Sequence, residues 1–505
     1  MKVFSTEQIR RADAYTIANE PIKSIELMER ASENCFNWII ENIDYKKKHF
    51  VFFCGLGNNG GDGLAIARML AEKKLKVTTY ILNYSKKKSE DFIINEKRLF
   101  DSRNAKIIYL NEGDTISEFA DDVIVVDAML GSGLAKPTEG FLARVIQHIN
   151  TFSHFTLSVD IPSGLYGDCN TDNCGTIVKA DVTLSLQFPK LSFFFPRYGH
   201  FAGNWVIIPI GLHESFIRNE VTSNNFTLIN DVGPTIKKRE KFAHKGQYGH
   251  ALLIAGSYGK MGAAILASKA CLRTGAGLLT VHVPQCGYSI MQIAVPEAMI
   301  KPDKNSNIIT ENNFSEQYSS VGIGPGIDKH EETTKALAQL LAKCNKPMVI
   351  DADAINILAE NEKLKKLIPI NSIITPHIKE FERFAGEHFE DDYKRFEKQK
   401  ELSAKHKIII VLKGAYTCIT APDGNVYFNS TGNPGMATGG SGDVLTGIIL
   451  GLLSQGYLPL DAARNGVFLH GFAGDLGAGK LSEYSLIASD IINYIPDAYI
   501  ELAKR

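Results

Sequence analysis

The stretch Asn433-Pro434-Gly435-Met436-Ala437-Thr438-Gly439-Gly440-Ser441-Gly442-Asp443 carries the densest chemistry in this chain. It stands directly before Val444-Leu445-Thr446-Gly447-Ile448-Ile449-Leu450, an apolar run that reads as a buried helix. A glycine-rich loop opening a helix aims several backbone N–H groups at one point, at the positive end of the helix dipole, which makes an anion site. Asp443 at its edge adds a carboxylate that, beside a bound phosphate, can take a proton from an attacking hydroxyl. The plainer alternative is a tight helix start with Asp443 near the cap.

A second constellation lies in the N-terminal half. Gly55-Leu56-Gly57-Asn58-Asn59-Gly60 fits G-x-G-x-x-G between a strand and a helix, the pattern of a dinucleotide site. The next strand, however, ends Tyr80-Ile81-Leu82-Asn83, with no acidic residue to hold a ribose hydroxyl. The loop also continues Gly61-Asp62-Gly63, so it suits polar ligand groups or a cation better than an ordinary redox cofactor. Asp127-Ala128-Met129-Leu130-Gly131-Ser132-Gly133-Leu134 and Asp160-Ile161-Pro162-Ser163-Gly164 both follow strands directly. In open parallel sheets ligands sit beyond the carboxyl ends of the strands, so two carboxylates, a hydroxyl and the Asn59 amide converge there. An oxygen-only set suits a hard cation rather than zinc or iron. Alternatively these aspartates cap the turns that follow them.

Further strand ends accompany the first loop. They are Asp351-Ala352-Asp353-Ala354, Thr375-Pro376-His377 and Lys413-Gly414-Ala415-Tyr416-Thr417. His377 reads equally as a functional group or as a hydrogen-bonded histidine at a strand end. Lys413-Gly414 is either a plain turn or a nucleotide contact. Two glycine-rich segments are decoys. Gly474-Asp475-Leu476-Gly477-Ala478-Gly479-Lys480-Leu481 nearly spells a phosphate-binding loop, but Leu481 replaces the hydroxyl residue that ligates magnesium, and the segment follows a helix. In Gly322-Ile323-Gly324-Pro325-Gly326 the proline removes a donor, which leaves a tight backbone approach to a ligand.

The elements that position these groups alternate regularly. Helices are predicted over 6–19 and 24–43, then a strand over 49–54, a helix over 61–74 and strands over 76–82, 123–127 and 156–160. Continuous apolar runs separated by helices imply a buried parallel sheet with helices on both faces. The rhythm fails over the polar segment 213–239, where a domain junction is placed. Strands are predicted again over 251–255, 278–283, 320–324, 348–351, 372–375 and 408–413, with helices closing the chain from residue 443. The fold class is α/β with two domains.

With 44% hydrophobic and 22% charged residues and a formal charge of -1, nothing points to a nucleic-acid or anionic-membrane partner. The triplets Lys46-Lys47-Lys48 and Lys86-Lys87-Lys88 read as solvated faces. Eight scattered cysteines without ligand spacing suit a reducing compartment. The N-terminus has no apolar leader and no stretch is long enough to span a bilayer, so a cytoplasmic location is expected. A homo-oligomer is expected as well, with the first two helices serving as core or interface.

The strings Gly55-Leu56-Gly57-Asn58-Asn59-Gly60-Gly61-Asp62-Gly63, Asp127 with the residues following it, and Val159-Asp160-Ile161-Pro162-Ser163-Gly164 resemble the NAD(P)H-hydrate epimerase domain. That resemblance implies a Rossmann-like domain over 1–218. Within it, hydrated NADH or NADPH meets Asn58, Asn59, Gly60, Gly61, Asp62, Gly131, Ser132, Gly133, Leu134, Ala135, Lys136, Pro137 and Asp160. It also implies K+ at Asn59, Asp127 and Ser163, and Asp160 is chosen as the group acting at C6. The second half resembles the ribokinase-like superfamily. Within it, His244-Lys245-Gly246 with Tyr248-Gly249, Gly256-Ser257-Tyr258-Gly259-Lys260-Met261-Gly262-Ala263, Thr375-Pro376-His377 and the loop ending at Asp443 match the ADP/ATP-dependent NAD(P)H-hydrate dehydratase branch. This implies a domain over 226–505. There the substrate meets Ala263, Gly326, His377 and Asp443, and the nucleotide meets Lys413, Gly414, Ala415, Tyr416, Thr417, Gly439, Gly440, Ser441 and Gly442. Asp443 would be the base, Mg²⁺ the accompanying cation, and ADP or ATP the co-substrate. Two other readings stay open at this point: a vitamin or sugar kinase fused to a ligand-sensing domain, and a non-enzymatic binding module in the N-terminal half.

Overall fold

The computed structural model describes residues 1–46, 48–116, 118–119, 122–151 and 154–504; Lys47 of the first lysine triplet and Arg505 at the end of the expected second domain lie outside them. The chain divides into two compact units, residues 2–222 with 391–393, and residue 1 with 223–390 and 394–505.

The first unit holds seven strands: β1 (His49–Cys54), β2 (Lys76–Leu82), β3 (Lys106–Leu110), β4 (Val123–Ala128), β5 (Phe155–Val159), β6 (Val182–Leu186) and β7 (Asn204–Ile208). They form one sheet in the order β3-β2-β1-β4-β5-β6-β7, parallel at every pairing. β1 and β4 are buried almost throughout, as their unbroken apolar runs require of strands covered on both faces. The strand order reverses between β1 and β4, and a crevice at such a switch point is where open α/β sheets bind ligands.

Two helices precede the sheet. Thr6–Asn19 opens with a capping box between Ser5 and Gln8, and Ser24–Asn42 buries Leu27, Met28, Ala31, Cys35 and Ile39 along one face. The helix after β1 begins at Asn58, not at Gly61 as its glycines suggested. Two close approaches permit the early start. A Cβ on Gly55 would lie 1.8 Å from the Met129 carbonyl oxygen, and one on Gly60 would lie 1.8 Å from that of Gly55. The polar residues read as loop therefore form the first helical turn.

The second unit adds β8 (Asn224–Thr227), β9 (His250–Ile254), β10 (Leu278–Val283), β11 (Met299–Pro302), β12 (Ser320–Ile323), β13 (Met348–Ile350), β14 (Ile373–Ile374), β15 (Ile409–Leu412), β16 (Cys418–Thr420) and β17 (Val426–Asn429). Their order is β11-β10-β9-β12-β13-β14-β15-β16-β17-β8. The run from β11 to β15 is parallel, whereas β16 pairs antiparallel with both neighbours. β8 comes from the polar segment that broke the rhythm and adds to β17 in parallel. The helix Ser441–Ser454 is buried on nearly every side. It lies against Met261–Thr274 so closely that a Cβ on Gly447 would stand 2.1 Å from the Ala267 carbonyl oxygen. The Gly474–Lys480 decoy falls inside the helix Pro459–Leu481.

Candidate active sites

In the first unit Asp127, one residue before the end of β4, is fully buried. Its carboxylate accepts from Ser163 Oγ at 2.5 Å, Ser163 N at 2.8 Å, Ser158 Oγ at 2.8 Å and Met129 N at 3.3 Å. No salt bridge reaches it among the described residues. Burial pushes its carboxyl above the usual range, with the Ser163 bonds opposing. Asn59, on the first turn after β1, donates Nδ2 to the Val159 carbonyl at 3.2 Å, while its Oδ1 is buried with no hydrogen-bond partner among the described residues. A buried carboxylate without a counter-ion beside an orphaned amide oxygen fits a monovalent hard cation on chemical grounds. Asn59, Asp127 and Ser163 are thus brought together, and Gly131 packs against Asn59.

Asp160 follows β5 at φ 66°, a left-handed conformation that costs a non-glycine residue about 1–2 kcal/mol. Its Oδ1 accepts from Lys190 Nζ at 2.6 Å and from Leu186 N at 3.3 Å. Asp62 is buried and takes a bond from Ser32 Oγ at 3.4 Å; burial, then Asp160, pushes its carboxyl well above the usual range. Gly60 and Gly61 are buried in the packing of the helix start, whereas Asn58 is exposed. The segment 131–137 is partly exposed, and Arg10 from the first helix donates to the Gly133 carbonyl at 3.3 Å. Ser132, Leu134, Ala135, Lys136 and Pro137 line that same segment.

In the second unit Gly440, at φ 88°, caps Ser441–Ser454, and among the described residues no side chain caps this helix start. Ser441 N donates to the Thr438 carbonyl at 3.4 Å, the Gly442 and Asp443 amides are left for an anion, and a Cβ on Gly439 would meet nothing within 4 Å. Asp443 sits in that first turn. Burial, and then the nearby Asp351 carboxylate, pushes its carboxyl up to about 7, with Lys413 opposing and Asp353 and Glu380 assisting. Asp351 is held by Lys413 Nζ at 3.0 Å and Thr446 Oγ1 at 2.7 Å. A Cβ on Gly442 would lie 3.3 Å from Lys413 Nζ and 3.9 Å from Asp351 Oδ2, so loop, lysine and aspartate share one place. Ser441 Oγ lies 3.2 Å from His470 Nε2, whose ring burial drives down to about 4 and keeps neutral.

His377 caps the helix Ile378–Ala385: its Nδ1 accepts from Lys379 N and Glu380 N, and its own N–H donates to Glu380 Oε2 at 2.9 Å. It bridges to Lys413 through the sheet. Ala263 and Gly326 adjoin each other, with Gly326 at φ 65° beside Lys260, whose Nζ reaches Asp353 at 3.6 Å. Gly414 and Ala415 are exposed, Tyr416 takes φ 53°, and Thr417 Oγ1 donates to the Gly414 carbonyl at 3.0 Å. The approach at Gly324 is to protein, since a Cβ there would lie 1.8 Å from the Asp351 carbonyl oxygen. Sequence reasoning missed Asp13, Lys190, Glu380, Thr446 and His470. Only Glu380 carried a signal, three residues after His377 as in a capping box.

Residues 24–192 match the family described as YjeF-related protein N-terminus, and residues 251–497 the family described as NAD(P)H-hydrate dehydratase. The bifunctional NAD(P)H-hydrate repair enzyme Nnr of Coxiella burnetii is 34% identical over 98% of this chain and 98% of its own length. That of Moorella thermoacetica is 33% identical over 98% and 96%. The ADP/ATP-dependent NAD(P)H-hydrate dehydratase from Bacillus subtilis, crystallised with ATP/Mg2+, superposes with a TM-score of 0.50 at 32% identity, covering 55% of this chain and 98% of that one. A ribokinase-like superfamily protein from Enterococcus faecalis gives 0.51 at 27% identity, covering 57% and 99%. Two domain families in this order, with full-length relatives above 30% identity, place the chain among the bifunctional NAD(P)H-hydrate repair enzymes.

Proposed function

We propose that the chain restores NADH and NADPH from their 6-hydroxy hydrates, with residues 1–218 interconverting the R and S epimers and residues 226–505 dehydrating the S form. The observation that carries this reading is Asp443, a carboxylate pushed to about 7 on the first turn of a helix with no side-chain cap. Such a group can accept a proton near neutral pH while the amides beside it hold a phosphate. Hydroxide is a poor leaving group, so Asp443 takes the proton of the C6 hydroxyl as that oxygen attacks the terminal phosphoryl group of ADP or ATP. Phosphate then leaves C6 with the electron pair of the C6–O bond, pushed by the ring nitrogen, and loss of a proton from C5 to solvent forms the C5=C6 bond that restores the reduced ring.

Lys413 offers its ammonium to the nucleotide phosphates. Asp351 and Glu380 outweigh burial in holding that ammonium above its ordinary value, so it stays cationic. Mg²⁺ would be held by Asp351 and Glu380 together with the phosphates, and it supplies charge neutralisation there. Among the described residues no three acidic, histidine or cysteine groups form a ready-made metal cage, in keeping with magnesium's habit of binding largely through nucleotide phosphates. In the first unit K+ would be held by Asn59, Asp127 and Ser163, balancing the buried carboxylate. Homo-oligomeric assembly and a cytoplasmic location belong to the same proposal; among the described residues no helix is long and apolar enough to cross a membrane.

The test is dehydration of the hydrate mixture with ADP and ATP in parallel, following absorbance in the NADH band and free phosphate together. Equal release of NADH and phosphate is expected. A stable phosphorylated product without NADH would make the second unit a kinase instead.

A further inference from the structure

Lys190 is only 1% exposed, yet its ammonium is fully engaged: Nζ donates to Asp160 Oδ1 at 2.6 Å, Ser185 Oγ at 3.2 Å and the Phe188 carbonyl at 3.2 Å. Three bonds use all three donors of a lysine. Both sides of the pair are held in uncommon backbone: Asp160 at φ 66° after β5, and Gln187 at φ 59° in the turn that follows β6. Left-handed non-glycine residues persist where the surrounding structure over-determines them, often at active sites. The first helix supplies the third member. Arg10 reaches the Gly133 carbonyl, and Asp13, three residues on and therefore on the same helix face, is half-buried within electrostatic reach of Asp160 and Lys190. Asp62 on the helix after β1 also interacts with Asp13, and Arg10 stands three residues before it on its own helix. Asp91, from the helix Glu90–Ser102, acts on Asp62 and takes a 2.5 Å bond from Ser24 Oγ.

We infer that Asp13 and Lys190 complete the proton-handling group of the N-terminal unit, Lys190 as a positioning residue that seats the Asp160 carboxylate and Asp13 as the second proton-transfer group. This rests on the epimerase reading above. Inverting C6 of a cyclic hemiaminal requires one group to take the hydroxyl proton and another to give a proton to the ring nitrogen. Asp160 takes the proton from the C6 hydroxyl, whose O–H pair becomes the C=O bond. The C6–N1 bond breaks with its electron pair going to N1, and Asp13 protonates N1. The open chain is an aldehyde and an enamine conjugated with the carboxamide. Rotation about C5–C6 and the reverse transfers close the ring in the other configuration, with no net change of atoms, protons or electrons. Asp13 suits the acid role because burial, and then Asp160, push its carboxyl up to about 7, with Lys190 opposing.

The experiment uses the full chain, ADP or ATP with Mg²⁺, and a mixture of both hydrate epimers. Absorbance should rise in a fast phase that drains the S form and a slow phase limited by conversion of R. Wild-type protein lacking a slow phase faster than the uncatalysed rate sinks the epimerase reading and this inference with it. With that phase present, Asp13→Asn is expected to slow it ~100-fold, within the range for a lost acid–base group, and to leave the fast phase unchanged. The wild-type slow phase should fall as pH rises through about 7, and this limb should vanish in Asp13→Asn. In Lys190→Met the limb should move to higher pH, because the ammonium is what lowers the Asp13 carboxyl. Trp38 and Trp205, the chain's two tryptophans, both lie in the N-terminal unit, so their emission reports whether a variant of that unit is folded. Since Lys190→Met removes the ammonium paired with the half-buried Asp160 carboxylate, Asp13→Asn is the deciding variant. A folded Asp13→Asn protein whose slow phase stays within threefold of wild type, with the pH limb intact, overturns the inference while leaving the epimerase reading standing.

Discussion

Both units set the same charged trio beyond the carboxyl ends of parallel strands. Lys190 meets Asp160 at 2.6 Å in one, Lys413 meets Asp351 at 3.0 Å in the other, and each pair has a second aspartate pushed to about 7, Asp13 and Asp443. The difference lies in what surrounds the trio. In the first unit the glycine-rich helix start is likewise uncapped and has free space at Gly57, but within its first turn it is closed by backbone, with Gly60 against the Gly55 carbonyl, and a buried carboxylate and an orphaned amide oxygen stand nearby. In the second unit the helix start is open, with free space at Gly439 and the Gly442 and Asp443 amides left for an anion. Two acids and an ammonium can shuttle protons anywhere. On the proposed reading the second trio differs in having a phosphate, held by the helix start beside it, to work with.

The strongest way to break this comparison is Asp443→Asn. Dehydration should fall by ~10³ or more, as for a lost general base, while nucleotide affinity changes little. Epimer interconversion, followed by chromatography of the R and S hydrates, should be untouched. Near-normal NADH release would remove Asp443 as the base and with it the distinction between the two trios. Next in size is the cation. Replacing K+ by tetramethylammonium should slow R-hydrate conversion ~10–100-fold, the scale of lost metal-site interactions, and spare the fast phase. An equal loss in both phases would mean that the buried Asp127 carboxylate has no special need for the ion.

The pH profiles should mirror each other. Asp443 must be ionised to act as base, so the fast phase should rise as pH climbs through about 7. Asp13 must be protonated to act as acid, so the slow phase should fall across the same interval. Each limb should approach tenfold per pH unit for a single titrating group. Two phases that track together from pH 6 to 8 would erase the contrast.

How much of this was legible from residues alone divides along the same line. The open site was nearly all in one string, because a helix start needs contiguous residues: glycines, hydroxyls and Asp443 lie within eleven positions. Many of the parallel strands showed through as continuous apolar runs, and β1, β2 and β10 fall at their predicted bounds, whereas the parallel strands β3, β6, β7 and β11 were not read. The short polar β8 and the β16–β17 hairpin escaped, since their pairing comes from tertiary context rather than from pattern. The closed site was half legible. Asp127, Asp160 and Ser163 follow apolar strands and invite attention, but Asp13 is an ordinary polar position on an amphipathic helix. Lys190 looks like any loop lysine until the turn after β6 folds it inward. His377 shows the opposite limit, a residue equally readable as ligand or cap that the structure builds as a cap while leaving its ring 49% exposed.

The smallest effect tests whether the two acids are alike in what they cost. Each has a folded value near 7 against an ordinary value of 3.8, so its protonated form is favoured by folding. That contribution is complete below about pH 4 and is lost as pH rises towards 7; at pH 8 the folded chain carries the full penalty of a partly buried carboxylate. Asparagine at either position removes the charge and keeps the shape. Asp13→Asn and Asp443→Asn should therefore each stabilise their own unit at pH 8 by about 1–3 kcal/mol after discounting for solvent screening, and by less at pH 5. Tryptophan emission during thermal unfolding reads the first unit and circular dichroism reads both, with a rise of a few degrees expected at pH 8. A gain in one unit and none in the other would show that only one of the two aspartates is strained for its chemistry, which would separate the trios by energetics as well as by their surroundings.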